Sequence, residues 1–222
     1  MQRIFERPGI NSYPAMHYRA VEMKEEWTEK YRPKSLSDVA GNEGAVRNMR
    51  HWAESWSRGI PRKKALVLMG EPGIGKTSSA LALANDFGWD MVEMNASDHR
   101  NATSINRVAG QGSVSQTLTL DGEFKSTAQG KMKLIILDEA DNLFGREDYG
   151  GAKAIVEVIK ASSQPIILIV NDYYELTRKA SALKSLSESV VFRRLDKRAI
   201  VGVLTKIART EGVSVGQGPL ES

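Results

Sequence analysis

The sequence predicts an α/β domain built on a parallel sheet with helices on both faces. Four apolar runs, at 65–69, 91–94, 134–137 and 166–170, are each of strand length and continuous rather than alternating. Continuous apolarity over so short a span is the pattern of a strand covered on both sides. Segments with helical spacing lie between the runs, notably 77–87, closed by Gly88, and 152–160. Strand and helix therefore alternate, which is the order of a doubly wound fold.

Taken in order, residues 1–24 mix Pro8, Gly9, Asn11, Ser12 and Pro14 without an apolar period and read as an irregular leader. The stretch WTEKYRPKSLSDV, 27–39, is expected to be extended, fixed by Pro33. Residues 43–56 carry Val46, Met49 and Trp52 at helical spacing. After the four runs, a fifth at 190–192 completes the sheet. Asp196 then caps a helix with Ile200, Val203, Leu204 and Ile207 on one face, for which the sequence offers no partner. Three regions are expected: a leader at 1–24, the α/β domain at 25–194, and the first element of a truncated second domain at 195–222.

Composition narrows the classes. The 222 residues suffice for a sizeable core. Lys and Arg number 31 against 27 Asp and Glu, and the resulting charge of +4 permits a polyanionic partner without demanding one. With no cysteine and three scattered histidines, disulfides and thiolate metal sites are excluded. The first residues carry no apolar run of signal-peptide length, and nothing approaches the roughly 18 apolar residues of a membrane span. The expectation is a soluble, cytoplasmic chain.

The chemistry-bearing pattern is GEPGIGKT at 70–77, set between the run ALVLM and the helix TSSALALANDF. Gly70, Gly75, Lys76 and Thr77 have the spacing of a P-loop. Its backbone N–H groups, from Gly70, Glu71, Pro72, Gly73, Ile74 and Gly75 onward, turn around phosphates at a helix N-terminus. Proline supplies no N–H and serves there only as a turn residue. Lys76 is expected to reach the β- and γ-phosphates of ATP, and Thr77 to ligate Mg2+. The third run ends in Asp138, Glu139, Ala140 and Asp141. Asp138 is assigned to Mg2+ and Glu139 to the attacking water, at the sheet edge where ligands of open α/β folds sit. The letters DEAD also occur in a helicase family whose other motifs are absent here. The fourth run leads into Asn171, which either bonds the γ-phosphate or the attacking water, or opens a turn with Asp172.

The ordered blocks WTEKYRP, GEPGIGKT, EMNASDHRN, KLIILDEADN, PIILIVNDYYEL and FRRL resemble the archaeal replication factor C large subunits, clamp loaders of the AAA+ ATPases. The resemblance implies a five-stranded sheet followed by a helical lid. It also implies assembly with replication factor C small subunits, a sliding clamp (PCNA) and primer-template DNA. By resemblance, Tyr31, Arg32 and Pro33 wrap the adenine with Val39 and Gly41 nearby. Asn95 is the polar switch that restrains the catalytic Glu139, and Asn171 is the sensor. Arg100 and Arg107 lie in the segment that meets the DNA backbone, although two arginines on a helix also suit a solvated face.

Two departures qualify the resemblance. Small subunits carry SRC just before the last strand, where this chain has Ser187, Glu188 and Ser189. It is therefore expected to donate no arginine finger in trans, a contribution worth roughly 10³ to 10⁵ in rate. The lid is expected to stop after one helix, without its arginine, the collar or a clamp-binding motif. A clamp-loader ATPase, active once assembled, competes with a nucleotide-holding module that never turns over. A third reading is another AAA+ protein, such as an initiator or a junction-migrating helicase.

Overall fold

The computed structural model describes residues 26–96, 116–118, 124–126, 132–144 and 150–213. The chain divides into two compact units, Met1–Tyr31 and Arg32–Ser222. In the first unit the described part is a single helical turn, α1 (Trp27–Lys30), with the Tyr31 N–H bonded to the Trp27 carbonyl at 3.0 Å.

The second unit contains a five-stranded parallel sheet in the order β2-β5-β6-β1-β7. Its strands are β1 (Ala65–Met69), β2 (Asp90–Asn95), β5 (Lys133–Asp138), β6 (Ile166–Val170) and β7 (Ser187–Val191). Two short segments, β3 (Gln116–Leu118) and β4 (Phe124–Ser126), pair antiparallel in a sheet of their own. The helices are α2 (Glu43–Trp56), α3 (Lys76–Phe87), α4 (Gly151–Ala161), α5 (Tyr173–Lys179), α6 (Leu183–Leu186) and α7 (Lys197–Thr210). Among the described helices none is long and apolar enough to cross a membrane.

Alternate residues of each central strand feed opposite faces. Leu66, Leu68, Ile136 and Ile167 pack with Met49, Trp52 and Trp56 of α2 and with Ala80 and Leu83 of α3. Val67, Ile135, Leu137 and Leu168 pack with Ile155, Val158 and Ile159 of α4 and with Leu176 and Leu183. A fully buried Leu or Ile contributes about 1.5–3 kcal/mol, so these two layers carry the fold. Polar groups secure the joints. Trp52 Nε1 donates to the Lys63 carbonyl at 3.1 Å. Lys64 Nζ donates to the carbonyls of Lys160 and Ser162 at 2.6 and 2.7 Å, capping the C-terminal end of α4.

Three expectations need correction. Residues 27–39 are not uniformly extended, because α1 occupies Trp27–Lys30 and a 3-10 turn spans Leu36–Asp38. Ser35 and Asp38 close a reciprocal capping box there, stabilising a turn that Pro33 does not forbid. Second, β2 is an edge strand in which Met94 alone is buried and Met91 is exposed. Its apolar letters reflected β propensity rather than two-sided cover. Third, Ser187, Glu188 and Ser189 do not precede the last strand. They form its first three positions, paired with Ala65, Leu66 and Val67.

Candidate nucleotide site

Four strand ends converge on one edge of the sheet. Met69 is in register with Val170, and Asn95 with Asp138, so the residues that follow β1 and β6 and those that end β2 and β5 lie along a common line. Gly70 leaves β1 at φ +143°. A Cβ there would stand 2.6 Å from the Phe192 carbonyl oxygen and 2.7 Å from Ile74 Cδ1, so only glycine fits. The loop then enters α3, whose first turn receives no side-chain cap and leaves its N–H groups for a ligand.

Lys76 is almost fully buried. Its Nζ donates to the Gly70 carbonyl at 2.5 Å, the Glu71 carbonyl at 2.8 Å and Asn171 Oδ1 at 3.1 Å. Burial lowers its pKa below the usual lysine value, while the charges of Asp138 and Asp141 pull it back up. Thr77 Oγ1 donates to Asp138 Oδ2 at 2.7 Å, and Asp138 Oδ1 accepts the Glu139 N–H at 2.8 Å. Glu139 has a left-handed backbone, φ +51°, and its Oε2 accepts from Asn142 Nδ2 at 3.1 Å. Asp141 Oδ2 accepts the Asn171 N–H at 3.1 Å, tying the end of β6 to the turn after β5. A cavity of about 390 Å³ is lined by Pro72, Gly73, Gly75, Lys76, Thr77, Asp138, Glu139 and Asn171 among others. Such a site combines uncapped backbone donors and a buried ammonium with two acidic side chains, the requirements for holding a polyphosphate and a hard cation.

The two readings of Asn171 divide between neighbours. Asn171 turns its side chain to Lys76, while Asp172 caps α5 by accepting the Tyr174 and Glu175 N–H groups at 2.8 and 3.1 Å. Asn95 ends β2 beside Asp138, one strand from Glu139. Glu71 pairs its carboxylate with the Arg194 guanidinium. Tyr31 belongs to the first unit and Arg32 opens the second. Arg100 and Arg107 lie outside the described residues.

A second cavity of about 540 Å³ shares Pro72, Gly73, Gly75 and Ser78 with the first. Its lining is more apolar: Pro33, Val39, Ala40, Ile74, Leu195, and Ile200, Val203 and Leu204 of α7. Here sequence reasoning fell short. The apolar face of α7 does have a place, as a wall of this cavity, and Asp196 caps the helix as expected through the Ala199 N–H at 2.8 Å. Amphipathic spacing identified the face but not its destination, because the cavity is assembled from segments more than 100 residues apart. Ala40 and Leu195 gave no signal of their own. Gly41 lies outside this lining, in close contact with Leu195.

Comparison with known proteins agrees with this geometry. The model of the ATPase family associated with various cellular activities (AAA) matches residues 66–181. The chain is 47% identical over 195 residues to the replication factor C large subunit of Archaeoglobus fulgidus, covering 87% of this chain and 40% of that protein. The Methanosarcina mazei large subunit is 47% identical over 192 residues, covering 86% of this chain and 29% of its own length. The chain thus spans well under half of these curated relatives. Among solved structures, the Thermotoga maritima RuvB Holliday junction branch migration motor superposes with a TM-score of 0.63 at 14% identity, over 86% of this chain and 58% of that one. At that identity the likeness concerns the fold alone. Sheet order, loop and family match together establish that the chain belongs to the AAA family of ATPases, within which it is similar to archaeal replication factor C large subunits.

Proposed function

We propose that the chain is the ATP-binding and ATP-hydrolysing part of a clamp-loader subunit, one that works with replication factor C small subunits to place a sliding clamp on primed DNA. The observation that carries the enzymatic half is the pairing of Lys76 with Asn171 and of Thr77 with Asp138 by direct hydrogen bonds in one cavity, beside an apolar cavity large enough for a base. The clamp-loading half rests on the similarity to replication factor C large subunits.

In this reading the phosphates occupy the cavity before α3, and the base lies between Val39, Ala40, Ile74 and the face of α7. Lys76 exchanges its loop carbonyls for β- and γ-phosphate oxygens. Asn171 then loses the ammonium as partner and senses the γ-phosphate. Thr77 and Asp138 present two hard oxygens already 2.7 Å apart, a fit for Mg2+. Thr77, and Asp138 through the water shell, would hold Mg2+ there, and the ion would supply charge neutralisation to the phosphates. Glu139, anchored by Asn142, orients the attacking water, and Asn95 restrains that carboxylate until DNA is present. The segment that begins at residue 195 is the start of a lid domain, and Arg32 completes the adenine contacts. Arg100 and Arg107 track the DNA backbone.

The test is ATP hydrolysis by the chain mixed with small subunits, clamp and primed DNA. The rate is expected to exceed that of the same mixture without the chain, and the increment to vanish with Lys76→Ala. An increment that survives Lys76→Ala refutes the motor reading, and ATP binding without turnover in any mixture favours a holding module instead.

A further inference from the structure

We propose that Asn42 is a positioning residue for the base half of the nucleotide site, stapling one wall of the apolar cavity to the other. The inference rests on the nucleotide reading above and adds a residue that it does not use.

Asn42 stands at the N-cap position of α2 with φ +54° and ψ 32°, a left-handed conformation that asparagine tolerates better than most residues. An asparagine at an N-cap ordinarily turns its side-chain oxygen to the first N–H groups of its own helix. Here no such bond forms. The amide reaches across 151 residues of sequence instead. Its Nδ2 donates to the Arg193 carbonyl at 3.0 Å, and its Oδ1 accepts the Arg193 N–H at 2.8 Å.

Arg193 is the first residue past the β1–β7 ladder, whose last rung is the Phe192 N–H on the Met69 carbonyl at 2.8 Å. Beyond that rung the backbone of Arg193 needs a donor and an acceptor, and the Asn42 amide supplies both, in the manner of one more strand residue. The neighbours on each side are cavity walls: Val39 and Ala40 precede the staple on one strand of the contact, and Arg194 and Leu195 follow it on the other. Between them, Gly41 takes the left-handed φ of +61° that favours glycine, and a Cβ there would stand 2.6 Å from Leu195 Cδ2, so any other residue would displace that leucine from the wall. Without nucleotide the phosphate loop is anchored at Gly70 and Glu71 by Lys76 Nζ, and Glu71 also pairs with Arg194 beside the staple. The staple therefore fixes the width of the base cavity and the starting point of α7, and bears on the phosphate cradle chiefly through the exposed Glu71–Arg194 pair, a weak coupling.

Asn42→Gly removes the amide and keeps the backbone conformation, and Asn42→Asp keeps the acceptor for the Arg193 N–H but sets a carboxylate oxygen against the Arg193 carbonyl in place of the donor. Affinities of parent and variants for Mg2+-ATP and for inorganic tripolyphosphate are measured by calorimetry on the full chain. Loss of two hydrogen bonds from the cavity wall is expected to weaken ATP binding about tenfold in Asn42→Gly, and at least as much in Asn42→Asp, where one bond is replaced by repulsion between oxygens. Tripolyphosphate binding is expected to stay within about twofold. A purely structural staple would move both ligands together, so equal losses, or no loss, overturn the proposal. Should Asn42→Gly fail to fold, Asn42→Asp decides by the same ratio. A parent chain that binds tripolyphosphate but not ATP overturns the base-cavity reading itself, and the staple's role falls with it.

Discussion

Replacing Glu139 by alanine and by glycine separates the cost of its backbone from the work of its carboxylate. The residue sits at φ +51°, a conformation that costs an L-residue about 1–2 kcal/mol relative to a right-handed one. Glycine escapes that cost but adds about 0.5–1 kcal/mol of unfolded-state entropy. Both variants lose the exposed bond from Asn142 at 3.1 Å, worth about 0.5 kcal/mol. Both keep the Glu139 N–H on Asp138 Oδ1, since that bond is backbone. Alanine, which retains the strain, should fall about 0.5 kcal/mol below the parent. Glycine should stand about 0.5–1 kcal/mol above alanine, near the parent or slightly higher. For a chain of this size the gap between variants corresponds to about 1–4 °C in Tm. Parallel thermal and denaturant unfolding of the three proteins measures it. An alanine variant as stable as the glycine variant would refute a strained backbone at the position assigned to water activation, and with it the view that stability is spent there.

Two further substitutions probe the framework. Lys133 is buried at the start of β5 and its ammonium finds no hydrogen-bond partner among the described residues; burial lowers its pKa, with Asp90 pulling upward. A lysine whose folded pKa is depressed costs stability below that pKa, and the cost fades as pH rises toward the unfolded value of 10.5. Lys133→Met is therefore expected to stabilise the chain by about 1 kcal/mol at pH 7, with the advantage shrinking as the pH of the melt rises toward 10.5; an unchanged difference across pH contradicts this. Asp86 accepts the N–H of buried Leu36 at 3.1 Å and the Arg50 guanidinium at 3.0 Å. Asp86→Ala leaves the Leu36 N–H unpaired and should cost about 1–3 kcal/mol, whereas Arg50→Ala, half-exposed, should cost under about 1 kcal/mol. Equal losses in denaturant titrations would place the energy in the ion pair rather than the backbone bond.

The central layers were legible because β1, β6 and the interior of β5 at 134–137 are apolar at every position, and the helix at 43–56 was fixed by Met49 and Trp52. The loop at 70–77 was legible because phosphate binding constrains its spacing. Edge elements were not. β2 and β7 mix exposed residues with buried and half-buried ones, so their apolar letters understated their length: β7 begins at Ser187, three residues before the run that marked it. The turn at Leu36–Asp38 depends on a capping box formed by two polar side chains, a local signal weaker than the proline beside it. In the site, Lys76, Thr77, Asp138 and Asn171 could be named from motif positions, but the cavity wall could not. Leu195, Ile200, Val203 and Leu204 acquire their role from the return of the chain past β7, and Asn42 from an amide that bonds a residue 151 positions away.

The claim on which the account depends is that Lys76 holds the phosphates of ATP. Titration calorimetry of Mg2+-ATP into the parent chain and Lys76→Ala tests it without partners or turnover. A charge-assisted hydrogen bond contributes about 1.5–3 kcal/mol, so the parent should bind and the variant should bind about tenfold to a hundredfold more weakly. Equal affinities, or a parent that does not bind at all, would contradict it.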